Sequence, residues 1–131
     1  MINVSQLNQR YGGSQILWDL NMDIAAGSRT CIMGRNGVGK TTLLKCLMGM
    51  LPAASGSITI NQQDVTRASI ESRANIGVGY VPQGRHIFGQ LTVEENLKVS
   101  LNCKRQTSRS LPEDIFEYFP VLKEMLQRRG G

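Results

Sequence analysis

Gly34-Arg35-Asn36-Gly37-Val38-Gly39-Lys40-Thr41 sets glycines, a lysine and a hydroxyl at the spacing of a phosphate-binding loop. Such a loop wraps backbone N–H groups around polyphosphate oxygens, and a Cβ obstructs that approach. Gly34, Gly37 and Gly39 remove it. Lys40 can set an ammonium against the β- and γ-phosphates, and the Thr41 hydroxyl can ligate the Mg²⁺ that bridges them.

The flanks agree with this reading. Arg29-Thr30-Cys31-Ile32-Met33 is short with an apolar centre, which predicts a buried strand before the loop. After the loop, Leu43, Leu44, Leu47, Met48 and Leu51 recur at helical spacing, and Gly49 and Pro52 follow as stop signals. The start of that helix points its free N–H groups at the phosphates. A bare glycine turn between strand and helix needs neither Lys40 nor Thr41.

The N-terminal part reads as an antiparallel β layer. Ile2, Val4 and Leu7 form one half-buried pattern, and Leu20, Met22 and Ile24 another. Gly12-Gly13 and Ala26-Gly27 mark turns, as does Ser55-Gly56 before a short strand Ser57–Ile60. Asn61 to Asp64 is polar and turn-like, and 67–75 suit one weak helix. Gly77-Val78-Gly79-Tyr80-Val81 predicts a second core strand that stops at Pro82.

Further on, Thr92 and Glu95 form a capping box. Val93, Leu97 and Leu101 share one face of the helix it opens. Residues 104–110 read as a basic loop. Pro112 suits the first turn of a helix with Ile115, Phe116 and Phe119 on its apolar face. Pro120 breaks that helix, and Leu122, Met125 and Leu126 carry a final short one.

Composition narrows the class. The 131 residues allow one core, the apolar share of 40% is ordinary, and the net charge is +5. The basic residues are scattered and not interleaved with aromatics, so nucleic acid is not indicated as a partner. Cys31, Cys46 and Cys103 form no Cys-x-x-Cys, and His86 is near none of them in sequence, which argues against zinc. Cys31 and Cys46 fall on apolar positions and read as buried thiols. No apolar run reaches the ~20 residues that span a bilayer, and no signal peptide is visible at the start.

Taken together, these motifs resemble the ATP-binding subunits of ABC transporters, from the first strand to the last residue. The resemblance implies an α/β P-loop NTPase core with an N-terminal antiparallel β layer and a helical segment beyond. Residues 1–83 correspond to the β layer and phosphate-loop core, and 84–131 to the start of a helical subdomain. ATP with Mg²⁺ is the implied ligand, held by Gly34, Arg35, Asn36, Gly37, Val38, Gly39, Lys40, Thr41 and Thr42. Tyr11, before Gly12-Gly13, stands where the family stacks an aromatic on adenine. Val81-Pro82-Gln83 resembles the family's glutamine loop, so Gln83 is expected to complete the Mg²⁺ shell or to hold the attacking water.

Gly84 to Phe88 followed by Leu91 to Leu97 is similar to importers of branched-chain amino acids and urea. Residues 34–40, 45–49 and 119–126 look most like the urea type. His86 departs from the acidic residue usual there. The implied partners are transmembrane permease subunits, a second ATP-binding subunit and, indirectly, a solute-binding protein. The implied place is the cytoplasmic face of the membrane, with Phe88 and Leu91 as exposed docking candidates.

The family's serine-glycine signature loop, the strand ending in two acidic residues and the switch histidine are not found, so the chain is expected to be truncated before the signature loop. Binding of ATP with little turnover is then expected, as are an unpaired apolar sheet edge and self-association. Competing readings are a GTPase or nucleotide kinase, a non-catalytic interaction fragment, and an ABC protein outside transport. The Asn-Lys-x-Asp guanine-reading motif is absent, which counts against the GTPase.

Overall fold

The fold starts from a hairpin with a tight glycine turn. The computed structural model describes residues 1–84, 86–101 and 110–130. Strand β1 (Ile2–Tyr11) pairs antiparallel with β2 (Ser14–Ile24) across Gly12-Gly13, with Tyr11 opposite Ser14 and Val4 opposite Met22. On its other edge β1 pairs antiparallel with β3 (Ser55–Ile60), placing Val4 against Ile58 as well. A two-residue strand β4 (Gln63–Asp64) completes the sheet, in the order β2-β1-β3-β4. Asn61 and Gln62, both at positive φ (49° and 67°), make the tight turn between β3 and β4.

The chain divides into two units, Met1–Val78 and Gly79–Gly131. In the first, helix α1 (Lys40–Met48) lays Leu43, Cys46 and Leu47 on a core that includes Val4, Leu7, Leu17, Ile58, Ile60 and Val65. The spacing of three and four residues puts those side chains on one helical face. Each fully buried Leu is worth ~1.5–3 kcal/mol of transfer free energy. Leu44 points outward at 40% exposure, because it sits beside that face rather than on it. Burial pushes the Cys46 thiol pKa up, against a smaller opposing effect of Arg73.

Helix α2 (Ile70–Asn75) follows, capped by Ser69, whose hydroxyl accepts from the Ser72 N–H at 3.1 Å. Its Arg73 is only 2% exposed, though it carries a charge. Nη1 donates to the Cys46 and Leu47 carbonyls at 2.7 Å each. Nη2 donates to Val65 at 2.6 Å and Thr66 at 3.2 Å, and Nε to Ala68 at 3.3 Å. Burial lowers the guanidinium pKa from its ordinary value.

The second unit holds α3 (Val93–Leu101), α4 (Asp114–Tyr118) and α5 (Pro120–Met125). The capping box forms as expected: the Glu95 N–H donates to the Thr92 hydroxyl at 3.2 Å, and the Thr92 N–H to the Glu95 carboxylate at 2.8 Å. Those bonds from Thr92 hold the Glu95 carboxyl below its usual range. Asn96 clamps the preceding loop, donating to the carbonyls of Phe88, Leu91 and Thr92 and accepting from the Phe88 N–H. Residues 128–130 run back along this loop through Val93 N–H to Arg128 O (2.8 Å) and Gly130 N–H to Leu91 O (2.9 Å).

Several expectations are corrected. Neither Arg29–Met33 nor Gly77–Val81 is a strand. An apolar run becomes a strand only where a neighbouring ladder takes its N–H and C=O groups, and among the described residues the one sheet is antiparallel and includes neither segment. Ile32 and Val78 pack partly on the core, while Met33 is 85% and Val81 92% exposed. Cys31 is accordingly exposed rather than buried. The expected apolar edge is therefore not a strand edge at all. Ser55-Gly56 is no turn but the start of β3. Phe119 lies at the break between α4 and α5, 62% exposed. Cys103 and 104–109 of the basic stretch lie outside the described residues, as does Arg85.

Gly56 lets β3 pass close to β1 where the register shifts between Ser5 and Asn8. Its φ is +88°, and a Cβ there would stand 2.3 Å from the Gln6 carbonyl oxygen, a backbone atom of the paired strand. Gly56→Ala is expected to cost about 2 kcal/mol or more of unfolding free energy in denaturant titration, from the left-handed backbone plus the overlap. Gly13→Ala, with nothing within 4 Å and an unstrained φ, is expected to change it little.

Candidate functional site: the glycine loop at the start of helix α1

Helix α1 begins without a side-chain cap, on Gly39 in the left-handed conformation (φ 99°, ψ 7°). The first backbone bond of the helix runs from the Leu43 N–H to the Gly39 carbonyl at 2.9 Å. The N–H groups ahead of it have no partner within the helix, and with the helix dipole they make the N-terminus favourable to anions. Gly39 is seated on β2: a Cβ would lie 3.0 Å from a Leu17 methyl and 3.2 Å from an Ile16 methyl. The loop is thus held against the start of β2, at the same end of the hairpin as Tyr11.

Lys40 folds back over the loop. Its ammonium donates to the Gly34 carbonyl at 2.8 Å and the Arg35 carbonyl at 2.7 Å. The ammonium closes residues 34–40 into a ring. A positive charge and unpaired N–H groups on one small surface suit an anion with several oxygens. Thr41 is exposed and its hydroxyl is free to face a bound ion, whereas Thr42 is buried at 8% exposure. Any contact of Thr42 with a phosphate would therefore come from its backbone N–H. Arg35 and Asn36 are exposed, and Val38 is 54% exposed.

The other expected residues fall in two places. Tyr11 ends β1 in the first unit, 45% exposed. Gln83 belongs to the second unit, exposed at a bend before Gly84. Among the described residues no group of three His, Cys, Asp or Glu side chains could hold a metal ion. Thr41, exposed beside the loop, is the hydroxyl that could ligate Mg²⁺ together with phosphate oxygens, and Gln83 the amide that could complete the shell.

Sequence reasoning missed Arg73 and Gln9. Gln9 is 2% exposed, its Nε2 donates to the Arg10 carbonyl at 2.7 Å, and its Oε1 has no partner among the described residues. Its position two residues after Leu7, on the inward face of a period-two strand, was the available signal.

Gly39→Ala is expected to cost about 1–2 kcal/mol in unfolding free energy through the left-handed φ alone. It should also shift the Ile16 and Leu17 methyl resonances, because the new Cβ must push them aside. Unmoved methyl resonances in a folded variant would contradict the seating of the loop on β2.

Comparison with known proteins now bears on this geometry. The ABC transporter family model matches residues 17–128. The probable branched-chain amino acid transport ATP-binding protein LivF of Archaeoglobus fulgidus is 33% identical over 132 residues, covering 100% of this chain and 56% of its own length. The high-affinity branched-chain amino acid transport ATP-binding protein BraG of Pseudomonas aeruginosa is also 33% identical, with 100% and 57% covered. The lipopolysaccharide export system ATP-binding protein LptB of Escherichia coli K12 is 31% identical over 113 residues, with 86% and 47% covered.

Among solved structures, dimeric MJ0796, a bacterial ABC transporter cassette, superposes with a TM-score of 0.79 at 22% identity, covering 98% of this chain and 61% of that one. That likeness speaks to the fold, which is the ABC ATPase cassette fold. The chain spans a little over half the length of the branched-chain amino acid relatives it matches. A match that runs from the second strand of the β layer to the last helical turn makes the assignment plain, and the chain belongs to the ABC transporter family.

Proposed function

We propose that this chain binds Mg-ATP through the loop 34–42 and serves, within a full-length subunit, to couple ATP hydrolysis to solute import. The observation that carries the reading is Lys40 at the first position of α1, its ammonium arched over the loop on the Gly34 and Arg35 carbonyls. Polyphosphate bound there would take the N–H groups of the loop and draw the ammonium onto its outer oxygens. The Thr41 hydroxyl would ligate Mg²⁺, which supplies charge neutralisation between the β- and γ-phosphates. Tyr11, partly exposed at the end of β1, would offer its ring face to adenine. Gln83 would orient water or complete the ion's shell. Residues 1–83 would form the nucleotide-binding core and 84–131 the start of the helical subdomain.

Turnover by the chain alone is expected to be slight. Activating water requires a group that polarises it next to the γ-phosphate. None of the ten Asp and Glu residues lies within 34–42, and five of them, Asp19, Asp23, Asp64, Glu94 and Glu95, are engaged with Asn8, Asn3, Thr66, Lys98 and Thr92 respectively.

The ATP-binding proteins of branched-chain amino acid transport among the relatives favour import of such amino acids or of urea, through permease subunits and a second ATP-binding subunit, at the cytoplasmic face of the membrane. The likeness of residues 34–40, 45–49 and 119–126 to the urea type favours urea within that pair. No helix among the described residues is long and apolar enough to cross a membrane. A non-catalytic nucleotide-binding role is the second reading, favoured by those carboxylates being engaged with other side chains.

Lys40→Ala is expected to weaken Mg-ATP binding in calorimetry by ~1.5–3 kcal/mol, the range for a charge-assisted hydrogen bond. Thr41→Ala should mainly reduce the dependence of binding on Mg²⁺. Undiminished binding by Lys40→Ala would sink the proposed site, and tighter binding of GTP than ATP would move the reading to another nucleotide class.

A further inference from the structure

The most heavily bonded side chain in the first unit lies away from the glycine loop. The Arg73 guanidinium uses Nε, Nη1 and Nη2 on five carbonyl oxygens, those of Cys46, Leu47, Val65, Thr66 and Ala68. It is 2% exposed, and among the described residues the one ion pair is Lys98–Glu94. A buried guanidinium in this setting is compensated by dipoles alone, and two of those belong to the C-terminal end of α1. The same helix end is closed by Gly49, whose N–H reaches the Cys46 carbonyl at 3.0 Å. A Cβ on Gly49 would stand 3.0 Å from Arg73 Nε, so glycine and guanidinium share one tight space.

At its other end α1 is seated on β2 by van der Waals contact alone, Gly39 against Ile16 and Leu17, with no side-chain hydrogen bond to fix its direction. Gly39 makes no side-chain cap bond, and the first turn carries no acidic residue. Nine residues of α-helix make a rod of about 13 Å. Its C-terminal turn is held by the fork of a rigid side chain, and its N-terminal turn carries Lys40 and Thr41. Apolar contact permits sliding, so a change of tilt at the hydrogen-bonded end is carried along the rod to the first turn, and displacements of about 1 Å at a reacting group are costly.

We propose that Arg73 is a positioning residue for nucleotide: by tying the Cys46 and Leu47 carbonyls to those of Val65, Thr66 and Ala68, it sets the tilt of α1 and so the place of Lys40 and Thr41. The inference rests on the reading of the loop as the Mg-ATP site. It assigns the affinity of that site partly to a buried cation that touches no ligand. Lysine cannot replace it, because an ammonium is a compact point charge and cannot span five acceptors on both sides of the helix end.

The test is calorimetric titration of Mg-ATP into the parent chain, Arg73→Met, Arg73→Lys and Lys40→Ala, well below each unfolding midpoint. Stoichiometry and Kd are read separately, with amide exchange at residues 39–43 as a local probe. Arg73→Met is expected to keep the stoichiometry, weaken Kd by about tenfold or more and speed exchange at the start of α1. Arg73→Lys is expected to fall between it and the parent, and decides the matter if Arg73→Met does not fold. A parent-like Kd with lowered stoichiometry would overturn the proposal, because the guanidinium would then serve folding alone. Loss of cooperative unfolding in both variants would count the same way. Undiminished binding by Lys40→Ala would instead overturn the nucleotide site, leaving the exchange data to report on Arg73.

Discussion

A buried guanidinium without a carboxylate beside it constrains the first unit more than any other single group. Arg73 sits at 2% exposure and satisfies itself on main-chain carbonyls from α1, from the segment after β4 and from the approach to α2. Leaving one such buried acceptor unpaired costs ~1–3 kcal/mol, so the side chain and its five partners stand or fall together. Apolar packing of Leu43, Cys46 and Leu47 brings α1 onto the sheet but tolerates rotation and sliding. Directional bonds from a planar fork do not. The result is a helix whose far end is fixed, with its first turn presented beside the start of β2.

The residues legible in the sequence were those whose structure is local. The glycine spacing, the α1 face, the β1–β2 hairpin over Gly12-Gly13 and the Thr92–Glu95 box depend on neighbours within a few positions, and all formed. Arg29–Met33 and Gly77–Val81 were misread because an apolar run does not announce its partner. Pairing is non-local, and no ladder among the described residues includes either one. Gly56 was misread for a related reason. A glycine after a serine signals a turn, yet here it lies within β3, where its positive φ and missing Cβ let the strand pass close to the Gln6 carbonyl at a register shift of β1. Arg73 was invisible because an arginine on a short weak helix ordinarily faces water, and only the fold reveals five carbonyls converging on it.

The candidate site was half legible. Its backbone and its lysine follow from the motif, but the Lys40 bonds to Gly34 and Arg35 do not, since they depend on how the loop closes on itself. A loop already closed by its own lysine on the Gly34 and Arg35 carbonyls is organised before any anion arrives, which lowers the ordering cost of binding. In the proposed subunit this would let binding energy go into the contacts that draw Lys40 outward. The relatives include ATP-binding proteins of branched-chain amino acid transport and of lipopolysaccharide export, two solutes of unlike chemistry.

The central claim is that one preformed anion site, at the start of α1, is where this chain meets nucleotide. Hydrogen exchange along the whole chain, with and without Mg-ATP, tests it most directly. The account predicts slowed exchange concentrated at residues 34–42 and at the β1–β2 turn beside Tyr11, with the α4–α5 helices unaffected. Unchanged exchange in the loop, or slowing confined to residues 110–130, would contradict it.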